Sequence, residues 1–285
     1  MTPTVSGEFA FTGQDFERIK RILYDETGIH LKESKSTLVY SRLTKRLRLL
    51  GLENFRDYCD LISRTGNDEL QHMCTALTTN VTAFFRENHH FDHLRSQVLP
   101  RLLAGAKAGR KVRIWSAGCS SGQEPYSIAL TILSLMPEAR SYDIKILATD
   151  INPHVLATGK AGRYPAEEMA DVEPALRNKW TERVSVNGVP HLQLDEAALG
   201  LVTFRPLNLM GSWPMKGPFH AIFCRNVVIY FDESTQARIW SRILPLLDQN
   251  GVLYIGHSER VTGPAASQTK ADGTTTYRKA VRAVA

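Results

Sequence analysis

Residues 111–126, KVRIWSAGCSSGQEPY, restrict the fold more than any other stretch of the chain. Val112, Ile114 and Trp115 form a short apolar run of buried-strand type. The chain then turns through Ser116-Ala117-Gly118-Cys119-Ser120-Ser121-Gly122, and Pro125 suits the first turn of a helix, where its missing N–H is not needed. Ile128, Ala129, Leu130, Ile132, Leu133 and Leu135 supply the apolar body of that helix. Strand, small-residue turn and helix are how a doubly wound sheet lets a ligand approach the backbone at the carboxyl ends of its strands. Gly118 and Gly122 do not fit G-x-G-x-x-G, and no Gly-Lys-Ser/Thr follows, so neither phosphate-cradling pattern is present. Glu124, at the helix start, has two readings: it binds a ligand amine, or it complements the positive end of the helix dipole.

The rest of the C-terminal two thirds continues in α/β rhythm. Residues 144–150 read as a second strand ending in Asp150, which has two readings: it takes ribose hydroxyls from a nucleoside, as an acid there commonly does, or it only caps the helix that Asn152-Pro153 starts; the place of Pro153 favours ligand contact. Residues 163–204 break the rhythm and read as an insertion with a hairpin at Asn187-Gly188. Strands are expected at 202–205, 221–224 and 252–256, a helix at 234–247, and an edge strand at 274–282.

Residues 11–78 read instead as all helix. Phe16, Ile19, Ile22 and Leu23 recur at helical spacing up to Gly28, and Val39, Leu43, Leu47 and Leu50 form the stripe of a helix over 36–50. Shorter helices follow at 52–63 and 69–77, parted by Thr65-Gly66-Asn67. Between Leu31 and Gly51 stand Lys32, Lys35, Arg42, Lys45, Arg46 and Arg48 against the single acid Glu33. So one-sided a patch is read as a docking surface for an acidic partner rather than a merely solvated face. A helix over 94–107 and a loop at 108–110 link the two parts, giving expected divisions of 1–80, 81–110 and 111–285.

With 285 residues, 43% of them hydrophobic and 22% charged, a packed core is expected. No apolar run is long enough to span a bilayer, and the opening MTPTVSGEFA lacks the regions of a signal peptide. Cys59, Cys74, Cys119 and Cys224 include no C-x-x-C pair, which reads as reduced thiols in a cytoplasmic protein. His89, His90 and His93 have metal-ligand spacing, but no nearby partner motif completes a site and no metal is expected.

Several long motifs, in order, make the chain resemble the chemotaxis receptor methyltransferases, the CheR-type protein-glutamate O-methyltransferases. They are YSRLTKRLRLLGL at 40–52, LTTNVTAFFRE at 77–87, WSAGCSSGQEPYSIA at 115–129, ATDIN at 148–152, FCRNVVIYF at 223–231 and GHSE at 256–259. The resemblance implies a small all-helical N-terminal domain, then a doubly wound, mostly parallel class I methyltransferase domain with an inserted antiparallel β-subdomain. It implies S-adenosylmethionine as cofactor, S-adenosylhomocysteine as product, and glutamates of methyl-accepting chemotaxis receptors as acceptors. By it Asn80, Thr82, Arg86, Glu124, Asp150, Asn208, Leu209, Arg225 and Asn226 contact the cofactor. Arg86 and Tyr230 lie near the reacting centre, and Arg42, Lys45, Arg46 and Arg48 grip an acidic helical bundle. Some members use a glycine-rich loop of the β-subdomain to bind a receptor tether; here that loop holds only Asn187-Gly188. A monomer, with no membrane insertion and no nucleic acid, suffices for this role.

The chemistry agrees with such an acceptor. A glutamate is ionised at neutral pH, with a reference pKa of about 4.3, so methyl transfer to it needs no general base. Two rivals share parts of the pattern: a nucleic-acid methyltransferase and a non-catalytic cofactor-binding module. The first is disfavoured because Cys224-Arg225-Asn226-Val227 is not the N-P-P-Y type and no Pro-Cys nucleophile is present.

Overall fold

Thr12 and Gly28 bracket the first helix of the computed structural model, which describes residues 7–64 and 68–280. Thr12 accepts a hydrogen bond from the Asp15 N–H, and the Asp15 carboxylate accepts one from the Thr12 N–H at 2.9 Å, a reciprocal cap that removes two orphan donors. Gly28 ends the helix in the left-handed region at φ 74°. Helices α1 (Gly13–Thr27), α2 (Ser36–Leu50), α3 (Phe55–Ile62) and α4 (Asp68–Leu77) form the N-terminal unit. Its core joins Phe16, Ile19 and Leu23 of α1 with Val39, Leu43 and Leu47 of α2, Tyr58 and Ile62 of α3, and Met73 and Leu77 of α4. Leu50 departs from its expected place in the α2 stripe: it lies in the last turn and is 38% exposed. Thr65-Gly66-Asn67 lie outside the described residues. The segment Tyr230–Thr235 also belongs to this unit.

The second unit takes in Asn80–Ile229 and the chain from Gln236 onward. Helix α5 (His89–His93), a single π turn (Leu94–Val98) and α6 (Leu99–Lys107) run on from one another, so the expected helix begins five residues early. Then come β1 (Val112–Ala117), α7 (Gln123–Leu135), β2 (Ile144–Asp150), α8 (Pro153–Ala161), β3 (Arg163–Pro165), α9 (Pro174–Trp180), β4 (Thr181–Val186), β5 (Val189–Leu194), α10 (Glu196–Leu199) and β6 (Val202–Pro206). The chain closes with β7 (Phe219–Cys224), α11 (Glu233–Leu246), β8 (Leu247–Ile255), β9 (Thr269–Gly273) and β10 (Thr276–Lys279).

Seven strands form one sheet in the order β6-β2-β1-β7-β8-β10-β9. β6, β2, β1, β7 and β8 are mutually parallel, and β10 runs antiparallel to both β8 and β9. The chain steps outward from β1 to β2 and β6, then returns to the other side of β1 with β7. The point of reversal lies between β1 and β7, where open α/β sheets leave a crevice at their carboxyl ends. β3, β5 and β4 form a separate antiparallel sheet, with Asn187 and Gly188 at φ 49° and 80° in its two-residue turn. Helix α7 is buried from Gln123 to Leu133 except at Glu124 and packs, with Leu94, Leu99, Ile114, Ile146 and Phe223, into the core of the unit.

Two expectations are corrected here. β8 starts at Leu247 rather than 252, because Leu247 already pairs with Phe219 and the Asn250-Gly251 segment is accommodated by a register shift inside the strand. The expected single edge strand is a hairpin, β9 and β10, with β9 at the edge and Val281 and Arg282 outside the described residues. The polar sequence Thr269-Lys270-Ala271-Asp272-Gly273 has no strand signature; its pairing to β10 makes it one. Among the described residues, no helix is long and apolar enough to cross a membrane.

Candidate active site

The tips of β6, β2, β1 and β7 lie side by side, and each strand carries an expected site residue at its end or in the segment that follows it. After β1 the turn bends sharply, with Gly118, Ser120 and Gly122 at φ 72°, 51° and 100°. A Cβ on Gly118 would stand 2.4 Å from a Val227 methyl, so both conformation and space demand glycine. The Gly118 and Cys119 N–H groups donate to the Thr149 carbonyl at 2.8 and 2.9 Å.

Asp150 ends β2 and is 8% exposed. Its two oxygens accept from the Ser120 N–H and the Asn152 N–H, each at 2.9 Å, tying the first turn to the second. Burial pushes its carboxyl up, against those backbone hydrogen bonds. Asn152, not Asp150, caps α8, by accepting from the His154 N–H at 2.9 Å. The Ser120 hydroxyl donates to the Asn80 carbonyl at 2.9 Å, which fastens the 79–87 loop to the same turn. Thr82 is half-buried in that loop, and Arg86 Nη1 donates back to the Val81 carbonyl at 3.0 Å.

Glu124, in the first turn of α7, accepts from the Ser116 hydroxyl at 2.7 Å and from Arg225 Nη1 at 3.1 Å. Burial pushes its carboxyl up, and Arg225 and Ser116 act in the other direction. The Arg225 side chain is 2% exposed, lies over the Phe91 ring at 5.6 Å, and donates through Nη2 to the Arg86 carbonyl. Arg225 Nε is buried with no hydrogen-bond partner among the described residues. On the far side, Glu87 at φ 55° accepts from His257 Nδ1 at 2.9 Å and from Asn226 Nδ2 at 3.5 Å. Burial works to raise the Glu87 carboxyl, but the His257 hydrogen bond and the Arg225 charge outweigh it and hold it at about 2. His90 is fully buried; burial, then the Arg225 charge, pushes its imidazole down to about 3. Beyond β6, Asn208 accepts from the Met210 N–H at 2.9 Å, and the 8%-exposed Leu209 gives its carbonyl to Arg242 Nη1 at 2.6 Å.

The fold therefore brings together Asn80, Glu124, Asp150, Arg225 and Asn226, while Tyr230 falls in the N-terminal unit, its carbonyl accepting from the His30 N–H at 2.7 Å. Of the basic residues on α2, Arg42 donates to the carbonyls of Ala76, Leu77 and Thr78 at the end of α4. Arg46 forms a two-point ion pair with the buried Glu69 at 2.9 and 2.5 Å, and Arg48 pairs with Glu8. Lys45 is exposed. Sequence reasoning missed Glu87 and Glu259 as site residues. Glu259 lies in the GHSE motif and accepts four backbone N–H groups. Glu87 also brings a donor atom within 4.8 Å of those of His89 and His90, a juxtaposition that histidine spacing alone did not reveal.

Residues 14–78 match the family model described as "CheR methyltransferase, all-alpha domain", and residues 80–277 match "CheR methyltransferase, SAM binding domain". The chain belongs to the CheR methyltransferases. The probable chemotaxis protein methyltransferase of Rhizobium etli is 55% identical over 90% of this chain and 96% of that one. Chemotaxis protein methyltransferase 2 of Pseudomonas aeruginosa is 41% identical over 96% and 95%, and the Escherichia coli chemotaxis protein methyltransferase 40% over 88% and 85%. Among solved structures, PKMT2 from Rickettsia typhi in complex with AdoHcy is a distant likeness, at 14% identity over 62% of this chain and 26% of that one, with a TM-score of 0.35. As a CheR methyltransferase the chain binds S-adenosylmethionine and carries out methyl transfer in chemotaxis.

Proposed function

We propose that this CheR methyltransferase transfers the methyl group of S-adenosylmethionine to glutamate side chains of chemotaxis receptors, forming methyl esters. The observation that carries this reading is the commitment of the acids at the strand tips. Asp150 holds two backbone N–H groups, Glu124 holds Ser116 and Arg225, Glu87 holds His257 and Asn226, and Glu259 holds four N–H groups. An acceptor that arrives already ionised asks none of them to take up a proton.

The donor set suits the cofactor. Glu124 offers a half-buried carboxylate for an ammonium group, and Asp150 keeps acceptor capacity for ribose hydroxyls beyond its bonds to the Ser120 and Asn152 N–H groups. Arg225 Nε is a buried donor with no partner among the described residues, suited to an anionic group. Asn80, Thr82, Arg86, Asn208, Leu209 and Asn226 complete the proposed contact set. When bound, S-adenosylmethionine supplies a methyl group on a sulfonium centre, so the residues have to bind and orient rather than exchange protons. Alignment of that kind can be worth about 7–11 kcal/mol. Arg86 and Tyr230 are assigned to the acceptor carboxylate, as a guanidinium and a hydroxyl that fix its direction. Docking of the acidic receptor helices is assigned to α2, with Lys45 as its freest cation.

Incubating the chain with tritiated S-adenosylmethionine and receptor-containing membranes tests the proposal. Base-labile tritium on receptor protein, and none on RNA offered in parallel, is the expected outcome. Label on RNA, or label on protein that resists base, would overturn it.

A further inference from the structure

We infer that Glu259 is a positioning residue whose carboxylate shapes the turn carrying Arg225 and Asn226, and that it sets cofactor affinity without touching the cofactor. The inference rests on the assignment of Arg225 and Asn226 to the cofactor site. β7 ends at Cys224, and within four residues the chain must leave the sheet and enter the single turn Val228–Tyr230. Asn226 accomplishes this at φ 58°, a left-handed conformation that asparagine tolerates better than other side-chain-bearing residues and that the contacts around it here hold in place. The turn leaves the N–H groups of Asn226, Val227 and Val228 pointing inward in succession, a concavity suited to an anion.

Glu259 supplies that anion from 31 to 33 positions further along the chain. One oxygen accepts from the Asn226 N–H at 3.0 Å and the Gly256 N–H at 2.5 Å; the other accepts from the Val227 and Val228 N–H groups, both at 2.9 Å. The residue is 2% exposed, and both oxygens are occupied by the turn and by its own loop. The loop is pressed against the turn as well, since a Cβ on Gly256 would come within 2.5 Å of Asn226 Nδ2 and 2.8 Å of its backbone nitrogen. With the backbone so fixed, the Arg225 side chain points back to Glu124 and to the Arg86 carbonyl, and Asn226 Nδ2 faces Glu87. Glu259 thus acts on the proposed site through Arg225 and Asn226.

The test is calorimetric titration of the full chain with S-adenosylhomocysteine, in a double-mutant cycle of Glu259→Gln and Arg225→Ala. Gln keeps the volume of the side chain but turns an amide N–H₂ toward two of the four donors. Glu259→Gln is expected to weaken binding about 10- to 100-fold, and to add clearly less than that when Arg225 is already Ala, because part of its effect runs through Arg225 and only the share through Asn226 is left. Under turnover its KM for S-adenosylmethionine should rise by more than its kcat falls. Wild-type affinity in Glu259→Gln beside weak binding by Arg225→Ala would overturn this inference alone, as would losses that simply add. Wild-type affinity in Arg225→Ala would overturn the site assignment and the inference with it. If circular dichroism shows Glu259→Gln unfolded, Glu259→Asp, which keeps the charge on a shorter arm, takes its place: weakened binding by a folded protein supports the inference, and unchanged binding refutes it.

Discussion

Asp150 shows how one side chain can serve the fold and the proposed ligand together. Removing its carboxylate leaves the buried N–H groups of Ser120 and Asn152 without an acceptor. Asp150→Ala should therefore cost about 1–3 kcal/mol of stability, read by urea unfolding, and weaken S-adenosylhomocysteine binding, read by calorimetry. Arg86→Ala and Tyr230→Phe should each lower the methylation rate, by about 10- to 100-fold where a charge-assisted hydrogen bond to the acceptor is lost. Unchanged turnover in both would refute their assignment. His90 gives a pH signature. Its folded imidazole is held at about 3, against 6.5 as the ordinary value, so below pH 6.5 the unfolded chain binds the extra proton. The folded state then loses stability as pH falls from 6.5 toward 3, by roughly 2 kcal/mol at pH 5 for this group. His90→Gln should remove that share, seen as a smaller difference between urea midpoints at pH 8 and pH 5. Equal differences in the two proteins would contradict it.

Helix α2 separates charge that builds the fold from charge available to a partner. Arg46 neutralises Glu69, which is 4% exposed and also accepts from the Tyr58 hydroxyl at 2.9 Å. Breaking such a pair from one side strands a buried charge, so Arg46→Ala should destabilise the N-terminal unit by about 3–5 kcal/mol. Slower methylation by that variant would therefore say little about docking. Lys45 has no ion-pair partner among the described residues and is exposed. Lys45→Glu should leave the thermal midpoint within a degree or two while slowing methylation of receptor membranes. A fall in the midpoint with unchanged receptor methylation would refute the docking role.

For the whole molecule, the excess of 35 basic over 29 acidic residues predicts a salt effect confined to the macromolecular partner. Charge attraction between exposed surfaces fades as the screening length shrinks from about 10 Å at 0.1 M salt to about 3 Å at 1 M. The KM for receptor membranes should rise steeply with salt while S-adenosylhomocysteine affinity, set by buried groups, changes little; parallel shifts in both would contradict this. Features written in neighbouring residues are legible in the sequence. The strand–turn–helix at 112–135, the acid closing β2, the glycine stops at Gly28 and Gly51, the Asn-Gly hairpin and the helical character of the first unit all follow from local conformational preference and apolar spacing. Sheet order, which aligns the tips of β6, β2, β1 and β7, is not, nor is the strand identity of the polar β9. The same holds for the partners that hold the crevice: Glu87 with His257, 170 positions away, Glu124 with Arg225, 101 away, and Glu259 with the N–H groups of a turn more than 30 residues before it. Such pairs are chosen by where burial leaves polar groups in need of a partner, and that is known only once distant segments have packed together.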